Sequence, residues 1–312
     1  MFWGNEQVDF FETILYQHLG QPAEVLDSQF LSGGDISTAA RVFSSEGTFF
    51  IKWTYARNGD AARQTPDGRS AEGTDLFAAE AHGLARLRQT QTLAVPATIG
   101  HGQQGDKAYL ILAYVEQAPD GLRSANATYW TYLAHQLAEL HAHTQPRFGF
   151  DQDNYIGSLP QRNALTDSGY DFFFEQRLLP QAGQALYDGW LTKPTYEALL
   201  RLRTRLPDLL PPDRPALLHG DLWTGNLLQT EAGMPLVVDP AVYFGFREAE
   251  LAFTRLFGGF DAQFYRAYEE LFPLEPGFAE RVAIYNLYPL LVHVNLFGAG
   301  YVPGVERVLS RF

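Results

Sequence analysis

Cysteine is absent from this sequence of 312 residues, which excludes a disulfide scaffold, a thiolate nucleophile and a cysteine-based redox switch. No run of about 18 apolar residues occurs, and the opening segment has no basic start before its apolar residues. Basic residues are also few, with 23 Lys and Arg against 36 Asp and Glu and a formal net charge of −13. We therefore expect a cytoplasmic protein without nucleic-acid or membrane partners. A monomer is the favoured oligomeric state.

The hydrophobic content, by contrast, is sufficient for a large folded core. Hydrophobic residues make up 46% of the chain and aromatic residues 14%. At this length the chain can form two lobes, and we expect a globular rather than a disordered protein.

The octet HGDLWTGN, which ends at Asn226, is the most specific local pattern in the chain. In the protein-kinase pattern H-R-D-x-x-x-x-N, the Asp accepts the proton of the attacking hydroxyl and the Asn binds one of two Mg²⁺ ions. Asp221 and Asn226 keep this spacing. A second carboxylate must reach the metals from another element, and MPLVVDPA indicates a strand that delivers Asp239. These residues predict a phosphoryl-transfer site with one base and two metal ligands.

An alternative interpretation of the octet is purely structural. Asp and Asn beside Gly are common turn residues, and His219 could simply hydrogen-bond the backbone of a loop. The order and spacing of His, Asp and Asn, followed by an apolar strand that ends in Asp, favour the kinase interpretation.

The N-terminal part of the chain contains candidates for nucleotide binding. Short apolar runs surround LSGGDIST and end in TFFIKW, which indicates strands around a glycine-containing turn. Lys52 lies late in a predicted strand, where kinases place the lysine that contacts the ATP phosphates. Gly33 and Gly34 would let backbone N–H groups approach phosphate, and Glu80, on the next predicted helix, is the expected partner of Lys52. Taken alone, Lys52 and Glu80 could equally be solvated charges.

A lobe boundary is predicted where the apolar strand AYLILAYVE, residues 108–116, gives way to PDGLRSAN. This boundary divides the chain into an N-terminal nucleotide-binding lobe, residues 1–116, and a C-terminal catalytic and substrate-binding lobe, residues 117–312.

Backbone groups at this boundary are candidates for contact with an adenine edge. Such contact needs only backbone donors and acceptors between apolar surfaces, which Ala113, Tyr114 and Val115 could provide. An ordinary central strand predicts the same sequence. The polar segment from Arg57 to Thr74 predicts an exposed loop.

Together these motifs resemble the fructosamine kinase, or ketosamine-3-kinase, family, which shares the protein-kinase-like fold of aminoglycoside phosphotransferases. The resemblance rests on LSGGDIS, FIKW, NYIGSLPQRN, the octet with its tryptophan, ELAFTRLFGGF and YNLYPLLVHVNLFGAGY. It implies an α+β, bilobal protein-kinase-like fold, with a small antiparallel-sheet N-terminal lobe containing a helix and a larger, mainly α-helical C-terminal lobe. It also implies ATP and Mg²⁺ as cofactors.

The reaction implied by the resemblance is ATP-dependent phosphorylation of the O3 hydroxyl of a ketosamine, which is a sugar joined to an amine through glycation. The ketosamine would be a small molecule or a glycated protein side chain, and its labile product permits removal of the sugar in this family. Asp221 would be the base, Asn226 and Asp239 would hold Mg²⁺, and Lys52, held by Glu80, would contact the phosphates. The alternatives are another small-molecule kinase of this fold, acting on an aminoglycoside or a choline-like alcohol, and a catalytically silent nucleotide-binding protein.

Candidate substrate contacts are less specific. Trp223 follows the predicted base by two positions, and its flat apolar face could stack on sugar carbons or lie beneath a protonated amine; a core tryptophan is the alternative. Asn154 and Tyr155 begin a loop that could rim the substrate pocket or brace the catalytic loop. Arg247 or Glu250 could orient the catalytic loop by charge-assisted hydrogen bonds, or both could be solvated helix charges.

Overall fold

The computed structural model describes residues 5–31, 37–55 and 76–312. Gly33 and Gly34 lie outside the described residues, and so does the predicted loop from Arg57 to Thr74. In the part of the chain that is described, no helix is both long and apolar enough to cross a membrane.

The chain divides into two compact units. The first comprises Met1–Ala85 and Val95–Glu116, and the second comprises Arg86–Ala94 and Gln117–Phe312. Residues 86–94, which the sequence-based division left in the N-terminal lobe, therefore group with the second unit.

The first unit is built on an antiparallel sheet, whose described strands follow the order β1-β2-β3-β5-β4. Two helices accompany it, one before β1 and one between β3 and β4 in the chain; the last part of the second helix, from Arg86, groups with the second unit. The elements are α1 (Asn5–Leu19), β1 (Val25–Leu31), β2 (Thr38–Ser44), β3 (Gly47–Tyr55), α2 (Leu76–Thr90), β4 (Thr98–Gln104) and β5 (Lys107–Ala113).

The alternation of side chains along the strands gives this sheet two buried faces. Ile51 and Trp53 of β3 pack with residues of α1, such as Phe11. Leu110 of β5 packs with Phe77 of α2 in a separate cluster. Because successive side chains of a strand point to opposite faces, Lys52, between Ile51 and Trp53 and paired with Leu110 across β3 and β5, faces α2.

The second unit is mainly helical. Its principal helices carry apolar faces that pack on one another, and α4 continues through a π-helical stretch, Phe172–Leu178, into α5. The helices are α3 (Ala127–Ala142), α4 (Gly169–Asp171), α5 (Leu179–Tyr187), α6 (Lys193–Leu202), α7 (Leu206–Leu209), α8 (Arg247–Leu256), α9 (Ala262–Leu271), α10 (Phe278–Tyr285), α11 (Leu287–Phe297) and α12 (Val302–Leu309).

Short strands of the second unit carry the loops predicted to be functional. They are β6 (Asn154–Ile156), β7 (Leu159–Gln161), β8 (Ala216–Leu218), β9 (Leu227–Gln229), β10 (Pro235–Val237) and β11 (Tyr243–Gly245). The catalytic loop (His219–Asn226) connects β8 to β9, and the Asp239 loop (Val238–Val242) connects β10 to β11. Because β8 pairs with β11 and β9 pairs with β10, the two loops lie side by side.

The expected fold class is confirmed: the described chain is α+β, with an antiparallel sheet in the first unit and a mainly helical second unit. The strand predicted over residues 108–116 is shorter than expected, since β5 ends at Ala113. The reason is the length of the antiparallel partner strand β3. Phe49 of β3 lies opposite Ala113, and β3 begins only two residues before it, at Gly47, so few residues remain to pair with the chain beyond Ala113.

Candidate active site

Lys52 and Glu80 form a buried ion pair in the first unit. The Nζ of Lys52 lies 2.5 Å from Oε2 of Glu80, and the two side chains are only 10% and 11% exposed. The strand supplies the lysine and the helix that covers the same sheet face supplies the glutamate. The ammonium group is therefore held on a rigid element, as contact with a phosphate requires.

The segment predicted to contact adenine is tied to the sheet of the first unit. The backbone N–H of Ala113 donates to the Ala97 carbonyl at 2.8 Å, and that of Tyr114 donates to the Thr48 carbonyl at 3.1 Å. Val115 follows as a half-buried residue.

Backbone hydrogen bonds join the catalytic loop to the Asp239 loop in the second unit. The amide of Ala241 donates to the His219 carbonyl at 2.9 Å, and the amide of Val238 donates to the Asn226 carbonyl at 3.0 Å. Gly220 allows this approach: it has φ +85°, and a Cβ atom there would lie 2.0 Å from the Ala241 carbonyl oxygen. The two loops therefore form a single framework.

Within that framework, Asn226 holds the predicted base. Its Nδ2 donates to the carboxylate Oδ2 of Asp221 and to the Asp221 carbonyl oxygen, both at 2.8 Å. Burial raises the pKa of Asp221 to about 7; the hydrogen bond from Asn226 opposes this shift, and the carboxylates of Asp239 and Glu250 add to it. A carboxylate with a pKa near neutrality is suited to general-base catalysis.

Asp239 has a backbone conformation that is uncommon for a residue other than glycine. Its φ is +54°, in the left-handed region, which costs about 1–3 kcal/mol and persists only where neighbouring contacts hold it. Hydrogen bonds to the catalytic loop hold the chain before and after it, at Val238 and at Ala241.

The donor set in these loops fits Mg²⁺, which prefers oxygen ligands. Because the amide nitrogen of Asn226 is used by Asp221, its amide oxygen is the atom left for a cation. Asp239 supplies a carboxylate close enough to raise the pKa of Asp221. A cation bound here would reduce the repulsion between these two carboxylates. Asn226 and Asp239 are therefore suitable to hold the metal.

His219 is a structural part of the catalytic loop. It is completely buried, and burial is the main cause that lowers its pKa. The Val238 carbonyl, 3.0 Å from Nε2, can only accept a hydrogen bond, so Nε2 carries the proton. Nδ1 then accepts from the Asp221 amide at 3.3 Å. A neutral His219 thus links the backbone of Asp221 to the Asp239 loop.

Glu250, on α8, anchors the start of the catalytic loop. Its Oε2 accepts the His219 amide at 3.1 Å, and its Oε1 accepts the Gly220 amide at 2.7 Å. His141, on α3, donates to the same carboxylate from Nε2 at 3.0 Å. Burial alone would raise the pKa of Glu250, but the hydrogen bond from His141 and the other contacts outweigh it and lower the pKa.

Either Arg247 or Glu250 was predicted to orient the catalytic loop. Of the two residues, only Glu250 bonds to this loop. Arg247 is buried too, and its guanidinium donates to the carbonyls of Phe272 and Pro273 and to the hydroxyl of Tyr268. Arg247 therefore ties α8 to the end of α9.

Asn154 braces a loop, although the loop is the Asp239 loop and not the catalytic loop that the alternative named. It is 5% exposed, its Nδ2 donates to the Val242 carbonyl at 2.8 Å, and its Oδ1 accepts from Gln161 and Asn163. Both ends of this amide are thus used inside the protein, so the prediction that it contacts substrate is not supported. Tyr155 is half-buried.

Trp223 lies at the surface, two positions after the predicted base, and not in the core. It is 37% exposed and meets Phe257 edge to face, with ring centroids 6.1 Å apart. Gly225 makes room for the indole, because a Cβ atom at that position would lie 2.3 Å from a ring carbon of Trp223. The ring is therefore held against the catalytic loop with one part open to solvent.

The fold and the two joined loops define a phosphotransferase of the protein-kinase-like class. The model of the fructosamine kinase family matches residues 8–312. The chain belongs to the fructosamine kinase family, which confirms the expected family and the expected enzyme class.

Curated relatives agree with this assignment. A probable ketoamine kinase of Synechocystis sp. is 36% identical over 296 residues, which cover 95% of this chain and 93% of the relative. The chloroplastic protein-ribulosamine 3-kinase of Oryza sativa subsp. indica is 32% identical, with 94% of this chain and 80% of the relative covered.

Solved structures agree as well. A putative fructosamine-3-kinase from Thermobifida fusca matches with a TM-score of 0.79 at 32% identity, covering 96% of this chain and 98% of that one. An aminoglycoside phosphotransferase, solved in a ternary complex with AMP-PNP and hygromycin B, matches with a TM-score of 0.62 at 16% identity, covering 96% and 97% of the two chains. The latter likeness concerns the fold alone.

Several residues of the site were not found by sequence reasoning. His141 was not predicted to bond to Glu250, and Gln161 and Asn163, which donate to Asn154, were given no role of their own. Glu250, in contrast, was one of two predicted candidates; like most residues of α8 it is buried, and a buried carboxylate requires partners.

Proposed function

We propose that this protein is an ATP-dependent ketosamine 3-kinase, which transfers the γ-phosphoryl group of ATP to the O3 hydroxyl of a fructosamine- or ribulosamine-type adduct. The observation that carries the proposal is the contact of Asn226 with the Asp221 carboxylate beside the Asp239 loop, in a chain of this family. Removal of glycating sugars from small molecules or protein side chains would follow from the lability of the product.

In the proposed reaction, Asp221 accepts the proton of the O3 hydroxyl as that oxygen forms its bond to the γ-phosphorus. The bond from the γ-phosphorus to the bridging oxygen breaks, and ADP leaves. Asn226 keeps the Asp221 carboxylate in one orientation, and Asn226 and Asp239 would hold Mg²⁺. Bound Mg²⁺ would supply neutralising charge to the phosphate oxygens.

The first unit is proposed to bind the nucleotide and the second to bind the ketosamine and carry the base. Lys52 would contact the ATP phosphates, while backbone groups of Ala113, Tyr114 and Val115 would contact adenine. Gly33 and Gly34 would approach the phosphates through their amides.

Lys52→Met is expected to lower kcat/KM for ATP by about 100-fold, because it removes the charge proposed to contact the α and β phosphates of ATP. Glu80→Gln should have a smaller effect in the same direction, since it leaves the ammonium present but less firmly held. Steady-state kinetics with varied ATP measures both. Lys193→Met, at a lysine that is 82% exposed, is the control and should behave as wild type. Equal kinetics of Lys52→Met and Lys193→Met would contradict the role of Lys52.

Trp223 is proposed to be the platform for the sugar or its protonated amine, with Tyr155 a second candidate for substrate contact. Trp223→Ala should raise KM for the ketosamine by about tenfold, corresponding to about 1–2 kcal/mol of lost stacking or cation–π attraction. Trp223→Phe should recover part of the loss, and KM for ATP should not change. Tyr187→Ala, at an aromatic residue that is 87% exposed, is the control. A rise in KM for ATP instead would place Trp223 outside the acceptor site.

The proposed function is tested by Mg²⁺-dependent release of ADP from ATP with a panel of fructosyl- and ribulosyl-amines, an aminoglycoside and choline. Turnover confined to the ketosamines is the expected result, with the phosphate on O3 verified by NMR of the product. Turnover of only the aminoglycoside or choline would contradict the proposed substrate class but would support the proposed kinase chemistry. Silence on every acceptor would overturn the enzymatic proposal.

A further inference from the structure

Five buried polar side chains form a connected group beside the Asp239 loop. This group, the hairpin network, contains the β6–β7 residues Asn154 and Gln161, with Asn163, Arg177 and Tyr288. None of the five is more than 7% exposed, and Arg177 is completely buried. Its members come from a short hairpin, a π-helical stretch and α11, so it joins three separate parts of the second unit.

One branch of the hairpin network runs from a cation to the Asp239 loop. Arg177 donates from Nη2 to Oδ1 of Asn163 at 2.7 Å. Asn163 donates from Nδ2 to Oδ1 of Asn154 at 2.9 Å, and Asn154 donates from Nδ2 to the Val242 carbonyl at 2.8 Å. Every donor along this branch points toward the loop, and hydrogen bonds arranged in this way strengthen one another.

A second branch ends one residue earlier in the same loop. Tyr288 donates its hydroxyl to Oε1 of Gln161 at 2.7 Å. Gln161 donates from Nε2 to the Ala241 carbonyl at 3.0 Å and to Oδ1 of Asn154 at 2.8 Å. The two branches meet at Asn154, so the orientation of each amide is determined by its neighbours.

Arg177 is held in an unusual way for a buried cation. Among the described residues, no carboxylate lies within ion-pair distance of its guanidinium. It donates instead to the Arg162 carbonyl at 2.5 Å and lies 3.9 Å from the ring centroid of Tyr243. Burying a charge in this way is costly, so a hydrophobic residue would be a simpler choice for stability alone.

The contacts of the Asp239 loop indicate what the hairpin network does. The catalytic loop holds one side of the loop, through the Val238 and Ala241 amides. The hairpin network holds the other side, through the carbonyls of Ala241 and Val242. Asp239 lies between these points with φ +54°, a conformation that neighbouring contacts must maintain.

We propose that the hairpin network positions Asp239 for metal binding, with Gln161 and Asn154 as the positioning residues that contact its loop. The inference rests on the proposed function only in assigning Asp239 to the metal. Without the network, Ala241 and Val242 are free to shift and Asp239 relaxes toward negative φ, which moves its carboxylate. The polar composition of NYIGSLPQRN is thereby accounted for as support of the metal ligand.

The test is the binding of Mn²⁺ to the full-length protein in the presence of AMP-PNP, measured from the EPR signal of free Mn²⁺. Gln161→Met keeps the volume but removes both donated hydrogen bonds. It should weaken Mn²⁺ binding by about 10- to 100-fold, the usual range for removal of a group that supports a metal ligand. In turnover assays the Mg²⁺ concentration for half-maximal rate should rise by the same factor.

Gln136→Met is the matched control. Gln136 is also a buried glutamine of the second unit whose Nε2 donates to one backbone carbonyl, that of Thr92 at 2.6 Å. This variant should lose comparable thermal stability and bind Mn²⁺ as wild type does. Unchanged Mn²⁺ affinity in Gln161→Met, or equal weakening in both variants, would overturn the proposal.

Tyr288→Phe provides a milder variant should Gln161→Met fail to fold. It removes one hydroxyl from the hairpin network and retains the ring, and it should weaken Mn²⁺ binding less than Gln161→Met but measurably. Wild-type affinity in a folded Tyr288→Phe would also count against the proposal. Because the binding assay contains no ketosamine, a wild-type protein that binds Mn²⁺ and AMP-PNP but leaves ketosamines unphosphorylated would overturn the proposed function alone.

Discussion

Asp221→Asn is expected to lower kcat by about 100- to 10,000-fold while KM for ATP changes little, because the variant lacks the proposed base and keeps Lys52, Asn226 and Asp239. Rapid-quench or steady-state kinetics with a ketosamine measures the loss, and fluorescence titration with a nucleotide analogue measures binding. Wild-type turnover by this variant would exclude Asp221 as the base. Asp208→Asn, at an exposed aspartate of α7, is the control.

The same substitution should stabilise the metal-free protein near neutral pH. Because the pKa of Asp221 is raised from its usual 3.8 to about 7 in the folded state, that state keeps a proton which the unfolded chain releases. The stability of the wild type therefore falls as pH rises through this interval, and above it the ionised carboxylate is a net cost. The full shift corresponds to about 4 kcal/mol, and solvent around the half-buried group reduces this to about 2 kcal/mol.

Thermal melts in EDTA between pH 4 and pH 8.5 test this expectation. Asp221→Asn should match the wild type at the acidic end and exceed its Tm by about 3 °C at the alkaline end. A variant less stable than wild type at pH 8.5 would show that Asp221 makes a stabilising contact there instead.

Glu250→Gln is expected to damage both stability and turnover. The carboxylate of Glu250 accepts hydrogen bonds from the N–H groups of His219 and Gly220 and from Nε2 of His141. In the variant an NH₂ group, which can only donate, replaces one of the two oxygens, so at least one of these donors loses its acceptor. Removing one partner of a buried charged interaction of this kind lowers the free energy of unfolding by about 3–5 kcal/mol. We also expect kcat to fall by about 100-fold, because a loop displaced by a fraction of an ångström misplaces Asp221.

Two measurements separate these effects. Chemical denaturation gives the loss of stability, and kinetics at a temperature where the variant is fully folded gives the loss of turnover. Glu269→Gln, at an exposed glutamate of α9, is the control and should change neither. A folded Glu250→Gln with wild-type kcat would mean that the catalytic loop keeps its conformation without this anchor.

Some residues of the site could be paired from the sequence alone, and others could not. Asp221 and Asn226 could be paired from the sequence because five positions of one loop separate them. Lys52 and Glu80 could be paired because strand alternation and helical spacing place both on one side of a sheet. The role of Asn154 could not be chosen in advance, since the same amide can face solvent or bond to a buried carbonyl.

By itself, the sequence determined the family of this protein, and the proposed base, the proposed metal ligands and the lysine–glutamate pair all lie in short, ordered motifs. Only the tertiary structure decided what holds those groups in place. His141 lies 109 positions from Glu250, and Tyr288 lies 127 positions from Gln161. Contacts over such separations depend on how helices and hairpins pack, and packing is determined by the shapes of many side chains together rather than by any local spacing.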